Sequence, residues 1–432
     1  MEKSYSDRLH SVIPGGAHTY SRGDDQYPVN APQILERGEG AYVYTPEGDK
    51  LLDYGMALRA VTLGYAEPNV AAAAIKQINF GNNLTRPSLI ELQAAELMTE
   101  LFPAVEMVKF AKNGSTVTTA ALKLARGYTG RKYIARCSDH PFFSFDDWFI
   151  GDTPLKKGIP EEHHSLTLNF KYNDIESVEE LFVKYPDQIA GLILEPATSE
   201  HPKDNFLHKV QELCKKNGTV FILDEMITGF RWDLRGAMNY YNIKPDLCTF
   251  GKGMANGFSV AALGGKREIM NVGGIKEIGT ERLFLISTTH GAEMCGLGAF
   301  VETINFYKEH NVTKHLWDYG YKLISGMNAI AKELGLEKYF EVYGISCSPN
   351  YATRDIEGNN SMPLRTLFSQ EMVKNGVLMP WIAISYAHGE KELELTLKAT
   401  RSALEVYKKA IEEGVNKYLV GEAIKPVFRK YN

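Results

Sequence analysis

Cysteine is scarce in this 432-residue sequence, which has five, scattered singly and without any CxxC pair. Such a set excludes a disulfide-stapled secreted scaffold and a cysteine-rich zinc site, and it predicts reduced thiols in a cytoplasmic protein. Long apolar runs are also missing, since stretches such as GLILEP and VFILDE are too short to cross a bilayer. The first residues, MEKSYSDRLHSVIPGG, lack the apolar core of a signal peptide, so we expect no membrane association.

An excess of basic charge is absent as well. Acidic and basic residues are interspersed, with a formal net charge of −5, which predicts neither a nucleic-acid nor a membrane-surface partner. Familiar motifs are missing: GKGMANG has the spacing GxGxxxG rather than GxGxxG, GGKR lacks the rest of a P-loop, and no HExxH occurs. A dinucleotide-dependent dehydrogenase, a P-loop NTPase and a zinc protease are therefore disfavoured, and we expect no metal.

The sequence does contain short apolar strands that alternate with helical stretches from about residue 66 to 300. This pattern predicts an α/β fold with a mostly parallel sheet covered by helices on both faces. One helix is expected over 88–102, with Ser88 as its N-cap, and another is expected to end at Gly130.

Three regions are expected along the chain. They are an N-terminal arm over 1–50 that joins the small domain, a large domain over 51–320 and a smaller C-terminal α+β domain over 321–432. Within the last of these, the pattern predicts strands near 340–350 and 376–387 and a helix at 390–413.

Chemically useful residues follow four of the predicted strands. Glu195 comes after GLIL, Asp224 after VFIL, Lys252 after LCTFG, and Gly114-Ser115 after VKFAK. Ligands bind beyond the carboxyl ends of the strands in such sheets, so we expect these residues to converge on one site.

Lys252 and Asp224 together suggest one kind of cofactor. A lysine between two glycines is either a solvated turn residue or a desolvated amine that can form a Schiff base. An acid at a strand end is either a structural cap or ion pair, or a carboxylate that keeps a cofactor's ring nitrogen protonated. A tethering amine and such an acid are what pyridoxal phosphate requires, because its protonated ring is an electron sink.

A phosphate site is expected where Gly114, Ser115 and Thr116 open a helix. The free N–H groups and the helix dipole favour an anion there, and the glycine allows close approach. The alternative is an ordinary Ser/Thr cap.

The stretches LDEMITGFR (223–231), TFGKGMANGFSVAALGGKREIM (249–270) and LKLARGYTGR (122–131) resemble the class III aminotransferases, and within them the glutamate-1-semialdehyde aminomutases. The resemblance covers most of the chain, from IPGGAHTYSR to GVLMPWIAISYAHGEKELELTL. It implies fold type I of the pyridoxal 5'-phosphate enzymes, and a homodimer with shared active sites.

By this resemblance, Lys252 would carry the cofactor as a Schiff base and move the proton of the reaction, while Asp224 would pair with the ring nitrogen. Arg22 would either meet a substrate carboxylate or pair within the dimer. The other implied cofactor contacts are Met226 at the ring face, Asn113, Gly114, Ser115 and Thr116 at the phosphate, Glu195 on the phenolic side, and Thr289 at the neighbouring subunit's phosphate.

Several positions depart from the aminomutase pattern. Asp139 stands where a tyrosine usually stacks on the ring, so His140 or Phe142 would take over, and the choice between them is open. Leu58 replaces a tryptophan of the substrate pocket, and Arg59 follows it as a second substrate-binding candidate. The segment HGAEMCG stands where Ser-Gly-Asn-Pro is usual. These departures predict the same cofactor machinery with a different substrate.

We therefore predict a pyridoxal phosphate-dependent aminotransferase. It would move an amino group from an amino-acid donor, L-glutamate first, to the carbonyl of a small anionic or sugar-derived acceptor in ping-pong order. The alternatives within the fold are an intramolecular aminomutase, a racemase and a decarboxylase. The alternative of another class is a non-catalytic binding protein of the same fold, which the presence of Lys252 and Asp224 disfavours.

Overall fold

The computed structural model describes residues 3–432. In that part of the chain no helix combines the length and the apolar character that crossing a membrane requires. The strands are β1 (Arg37–Glu39), β2 (Tyr42–Tyr44), β3 (Lys50–Asp53), β4 (Met107–Ala111), β5 (Tyr133–Cys137), β6 (Thr167–Phe170), β7 (Ile189–Leu194), β8 (Val220–Asp224), β9 (Leu247–Phe250), β10 (Ala261–Gly265), β11 (Phe340–Ile345), β12 (Ser348–Thr353) and β13 (Val377–Leu378). The helical segments are α1 (Tyr5–Val12), α2 (Met56–Arg59), α3 (Pro68–Asn79), α4 (Leu89–Leu101), α5 (Gly114–Thr129), α6 (Asp147–Ile150), α7 (Glu161–His164), α8 (Ile175–Lys184), α9 (Phe206–Lys216), α10 (Gly236–Tyr240), α11 (Arg267–Met270), α12 (Met294–Glu309), α13 (Val312–Glu333), α14 (Met362–Lys374) and α15 (Glu390–Glu413).

The chain divides into two units. The first, called here the terminal unit, consists of the described residues up to Glu67 together with Lys314–Asn432. The second, the central unit, is Pro68–Thr313.

A seven-stranded sheet lies in the central unit, in the order β4-β10-β9-β8-β7-β5-β6. The strands from β5 to β9 are parallel to their neighbours, whereas β10 is antiparallel to both β4 and β9. The predicted mostly parallel sheet is confirmed. Because β10 reverses direction between them, β4 and β9 point the same way. Their last residues, Ala111 and Phe250, lie at the same edge, opposite Ala261 and Ala262.

The apolar strands are covered by helices, as their composition requires. Every residue of β7, β8 and β9 is buried, which in a parallel sheet needs helices on both faces. The helix α4 begins after Ser88, which forms a capping box with Glu91. The helix α5 ends at Gly130, whose φ of 69° is the left-handed conformation of a helix C-cap. Both predicted helix boundaries are therefore confirmed.

The terminal unit contains a four-stranded sheet in the order β1-β2-β3-β13 and a separate hairpin of β11 and β12. The predicted strands near 340–350 and the helix at 390–413 are confirmed by this hairpin and by α15. The prediction of a strand over 376–387 is wrong beyond Leu378, where the chain becomes irregular. Pro380 has no backbone N–H for a sheet, which accounts for the early end.

Candidate active site

Three strand ends of the central unit meet around the side chain of Met226, which follows β8. A methyl group on Gly114 would lie 2.9 Å from Met226 Sδ, and one on Gly251 would lie 2.7 Å from it. Both distances are too short for real carbon atoms, so glycine is the residue that fits there. The structure therefore brings together the turn after β4, the end of β8 and the glycine before Lys252.

Asp224 is buried at the end of β8, with 1% of its surface exposed. Its Oδ1 accepts hydrogen bonds from the Met226 backbone N–H and the Thr249 hydroxyl, each at 3.0 Å. Burial raises the pKa of this carboxyl to about 6, and the positive charge of Lys252 partly offsets the rise. A buried acid beside a lysine, with acceptor capacity left on Oδ2, is suited to hold a cationic ligand group.

Lys252 begins the short 3-10 turn Lys252–Ala255, directly after β9. Its φ is +40°, a left-handed value that costs a side-chain-bearing residue about 1–2 kcal/mol. Backbone strain of this kind persists where the surroundings impose it, and it clusters at functional sites. The lysine is half-buried, and its positive charge acts to lower the pKa of Asp224. The pair therefore combines an amine and an acid at one sheet edge.

The start of α5 contains a side-chain cap and, beside it, donors that are free to meet an anion. Asn113 Oδ1 accepts from the Thr116 backbone N–H at 2.9 Å and from its hydroxyl at 3.1 Å, so Thr116 uses both donors within an ordinary cap. The Ser115 hydroxyl oxygen accepts from the backbone N–H of Phe145 at 3.1 Å, which leaves its own proton to donate. The N–H groups of Gly114 and Ser115 stand in the first turn of this 16-residue helix, where anions are favoured.

His140 lies beside the end of β7, where its Nδ1 accepts the backbone N–H of Glu195 at 2.9 Å. Burial, with a smaller contribution from the charge of Arg136, lowers the pKa of His140 to about 3. The ring is therefore neutral, and because Nδ1 accepts, the proton is on Nε2. This buried Nε2 has no hydrogen-bond partner within residues 3–432. Phe142 is 44% exposed and contacts Phe149 edge to face, with ring centroids 5.5 Å apart.

Acid should weaken the fold through His140. Its pKa is about 3 in the folded chain against an ordinary 6.5. The free energy of unfolding should therefore fall by about 1.4 kcal/mol for each pH unit between about 6.5 and 3. We expect the urea midpoint of His140→Asn, which keeps an acceptor for Glu195 N–H, to change less than that of wild type between about pH 6.5 and 5. The exposed His163→Asn is the control and should change like wild type. An equal change of the urea midpoint with pH in all three proteins would contradict the prediction.

Glu225 is adjacent to Asp224 but has another role. Its carboxylate accepts from the backbone N–H groups of Ala237 at 3.0 Å and Met238 at 2.6 Å, and from the Thr228 hydroxyl. These bonds cap the start of α10, while burial raises the pKa of Glu225 to about 7. Of the two neighbouring acids, Glu225 is thus used by the start of α10, whereas Asp224 keeps Oδ2 for a further partner.

An ion pair that sequence reasoning missed anchors the segment HGAEMCG. The Glu293 carboxylate accepts from Lys112 Nζ at 2.5 Å and from Asn82 Nδ2 at 2.7 Å, and the bond from Lys112 lowers the pKa of Glu293. The pair joins the end of β4 to the start of α12. No local sequence pattern predicts it, because the two residues are 181 positions apart. Thr289, just before the segment, is exposed, and its carbonyl accepts from Asn83 Nδ2 at 3.1 Å.

The two arginines predicted to bind substrate belong to the terminal unit. Arg22 lines a cavity of about 890 Å³, as does Leu58, whereas Arg59 is not part of its lining. The other basic side chains of the lining are paired, namely His10 with Asp24, Arg37 with Glu39, and Lys425 with Glu422. Arg22 has no ion pair within the described part of the chain, which leaves its guanidinium available to an anion.

The residues of the central unit fit pyridoxal phosphate. Four features meet at one edge of the sheet. They are the buried acid Asp224, the strained Lys252, Met226 packed against two glycines, and the N–H groups at the start of α5. On a mostly parallel sheet, this set defines a pyridoxal phosphate-dependent enzyme of fold type I. More narrowly, the chain belongs to the class III aminotransferases, whose family model matches residues 23–338.

Known proteins of similar sequence are about equally long. The glutamate-1-semialdehyde 2,1-aminomutase of Alkaliphilus metalliredigens (strain QYMF) is 31% identical over 415 residues, covering 91% of this chain and 93% of that protein. The protein of the same name from Hyperthermus butylicus is 30% identical over 435 residues, covering 93% and 98%.

Solved structures share the fold. The internal aldimine form of the FumI protein of Sphingopyxis sp. MTA144 has a TM-score of 0.85 and 24% identity, covering 95% of this chain and 97% of that one. A glutamate-1-semialdehyde aminomutase from Pseudomonas aeruginosa PAO1 has a TM-score of 0.81 and 19% identity, covering 93% and 94%.

Proposed function

We propose that this enzyme transfers the amino group of an amino-acid donor, L-glutamate, to the carbonyl of a small anionic or sugar-derived acceptor. The observation that carries the proposal is the meeting of Asp224, Lys252 and the Gly114-Ser115 turn around Met226. An aminotransferase needs a tether, a ring partner and a phosphate site at one place, and these side chains have the matching chemistry.

The proposal assigns the cofactor contacts to named residues. When bound, pyridoxal phosphate supplies the electron sink for the carbanion chemistry of the donor's Cα. Asp224 would hold a proton on the ring nitrogen, and Lys252 Nζ would serve both as the tether and as the group that takes and returns the Cα proton. Gly114 and Ser115 would bind the phosphate through their N–H groups and the Ser115 hydroxyl, and Met226 would pack against the ring.

The end of β7 provides the remaining cofactor contacts. Glu195 would lie on the phenolic side of the ring, and His140 or Phe142 would take the place of the usual stacking tyrosine. His140 is bonded to the Glu195 N–H but is buried, whereas Phe142 is 44% exposed and has a face open to a ligand. Asn113 and Thr116 support the phosphate site indirectly, because they cap the helix that forms it.

Substrate recognition and assembly complete the proposal. The unpaired guanidinium of Arg22 supports its assignment to a substrate carboxylate, and Arg59 is a second candidate cation. The enzyme works as a homodimer in which Thr289 contacts the phosphate of the neighbouring subunit. The exposure of Thr289 is compatible with that contact.

A second candidate function is the aminomutase reaction, in which the amino group returns to the same molecule. Its support is the name of the relatives that are about 30% identical over most of the chain. The departures at Leu58 and Asp139 favour a different substrate. The aminomutase would release no keto acid from glutamate, which separates the two candidates by experiment.

The test is a half-reaction. We expect cofactor-loaded enzyme mixed with L-glutamate, without an acceptor, to lose the visible absorbance of its cofactor and to form one 2-oxoglutarate per active site. Formation of the keto acid would establish glutamate as a donor. Unchanged absorbance with glutamate, but a response to glutamate-1-semialdehyde, would favour the aminomutase. No response to either compound would contradict both assignments.

A further inference from the structure

Lys112 directly follows β4 and is held at both its backbone and its side chain. Its carbonyl accepts a hydrogen bond from the Ser259 hydroxyl at 2.5 Å. Its Nζ lies 2.5 Å from Glu293 Oε2, with 25% and 27% of the two side chains exposed. The next residue along the chain is Asn113, the cap of α5. The chain is therefore fixed immediately before the first turn of that helix.

The position of the Lys112 ammonium group is unfavourable without its partner. A methyl group on Gly296 would lie 3.7 Å from Lys112 Nζ, which places the ammonium against the first turn of α12. The N-terminus of a helix carries partial positive charge, and α12 is 16 residues long. Glu293 stands at the N-cap position of α12, and its carboxylate offsets the charge of the ammonium there. The ion pair is therefore what keeps Lys112 at this point.

Asn82 orients the carboxylate of the pair from the turn that follows α3. Its Nδ2 donates to Glu293 Oε1 at 2.7 Å, while Oε2 accepts from Lys112. The backbone carbonyl of Asn82 accepts the N–H of Met294 at 2.8 Å, and its Oδ1 accepts that of Cys295 at 2.9 Å. One asparagine thus satisfies two N–H groups that the start of α12 leaves without an intrahelical partner, and it also fixes Glu293.

We call Asn82, Glu293 and Lys112 the brace. We propose that the brace is a set of positioning residues that holds the Gly114-Ser115 turn in the geometry that binds the phosphate group of the cofactor. The inference rests on the proposed function, which assigns the phosphate to this turn. The brace acts through Lys112, whose fixed backbone sets where the N–H groups at the start of α5 point. Donors that are already held bind an anion more tightly, because ordering a mobile turn on binding costs free energy.

The test compares pyridoxal phosphate with pyridoxal, which has the same ring without the phosphate. Dissociation constants are measured by equilibrium dialysis for wild type, Lys112→Met, Glu293→Gln and the double variant. We expect each single variant to lower the preference for pyridoxal phosphate over pyridoxal by about tenfold, with the affinity for pyridoxal within about twofold of wild type. Lys266→Met is the matched control, because Lys266 forms an ion pair of equal length with Asp246 at the opposite edge of the sheet.

The double variant separates positioning from charge. It has the same net charge as wild type at this pair, so a purely electrostatic role predicts the wild-type preference. Loss of the brace instead predicts a preference as low as in the single variants. A wild-type preference in the double variant would overturn the inference. So would a raised preference in Glu293→Gln, because it would show that the released Lys112 cation binds the phosphate itself.

Two further variants test the brace with the ion-pair residues kept or conserved. Asn82→Asp keeps an acceptor for Cys295 N–H but faces Glu293 with a like charge, so the preference should again fall by about tenfold. Lys112→Arg can still pair with Glu293 and should stay within about threefold of wild type. A lower thermal midpoint with an unchanged preference in Asn82→Asp and Lys112→Met would show a merely structural role and overturn the inference.

Failure of the proposed function gives a different result. A wild type that prefers pyridoxal phosphate over pyridoxal but does not react with any amino donor would refute transamination, while the preferences of the variants would still decide the role of the brace. A wild type that binds both compounds equally would refute the phosphate site at Gly114-Ser115 and, with it, the inference.

Discussion

Lys252→Ala should abolish turnover, with a loss of at least about a thousandfold. In the proposed function the amine is both the tether and the group that moves the Cα proton, and general acid–base catalysis alone contributes about 10²–10⁴-fold. The cofactor should still bind, because that proposal assigns the phosphate and ring contacts to other residues, Gly114, Ser115 and Asp224. The measurement is the rate of the glutamate half-reaction together with equilibrium dialysis of the cofactor.

Two further variants make this prediction specific. Lys252→Arg keeps a positive charge beside Asp224 but cannot form the covalent bond, so it should be as inactive as the alanine variant. Lys209→Ala, on the exposed side of α9, should react like wild type. Normal turnover by Lys252→Ala would show that the strained lysine after β9 is not the catalytic amine.

Asp224→Asn should slow the half-reaction by about 10²–10³-fold, while the protein remains folded. Removing one partner of a buried charged pair costs about 2–5 kcal/mol, or about 30- to 5000-fold in rate, and the expected loss lies in the middle of that range. The asparagine is close in shape and keeps an acceptor for Met226 N–H and the Thr249 hydroxyl, so the loss would reflect the missing charge.

The neighbouring acid provides a matched control for Asp224. Glu225→Gln also changes a buried acid, but its partners are the donors at the start of α10. We expect it to lower the thermal midpoint and to leave the rate per folded enzyme close to wild type. If Asp224→Asn and Glu225→Gln instead reduced the rate equally, Asp224 would have no distinct part in the chemistry.

The residues expected to hold the cofactor could mostly be located from the sequence, because the patterns that mark them span only a few neighbouring residues. An apolar run with a polar residue at its end predicts both a buried strand and where its side chain emerges, as for Asp224 and Lys252. A glycine before a helix predicts close backbone approach, and Met226 Sδ lies where side chains on Gly114 and Gly251 would be. The exception is Thr116, because whether a hydroxyl binds a ligand or closes a cap depends on its neighbours.

The residues predicted to bind substrate were harder to place from the sequence. Leu58 and Arg59 follow each other in the sequence, yet only Leu58 belongs to the cavity lining. Nothing in MALR, the sequence of α2, predicts its left-handed backbone, with φ from 40° to 66°, because these residues prefer the right-handed form. The reason for this turn is the pair Asp53 and Tyr65, twelve residues apart, which hold its backbone N–H groups and whose bonds exist only in the folded chain.

By itself, therefore, the sequence determined the α/β fold, the order of its strands and helices along the chain, the family, and the placement of Lys252 and Asp224 at strand ends that face each other. These follow from periodicity, caps and glycines, which act over a few neighbouring residues. The tertiary structure decided the partner of His140, the pairing of Lys112 with Glu293 and the left-handed turn. Each of these depends on groups that are brought together across the fold, where the free energy of long-range contacts outweighs local preference.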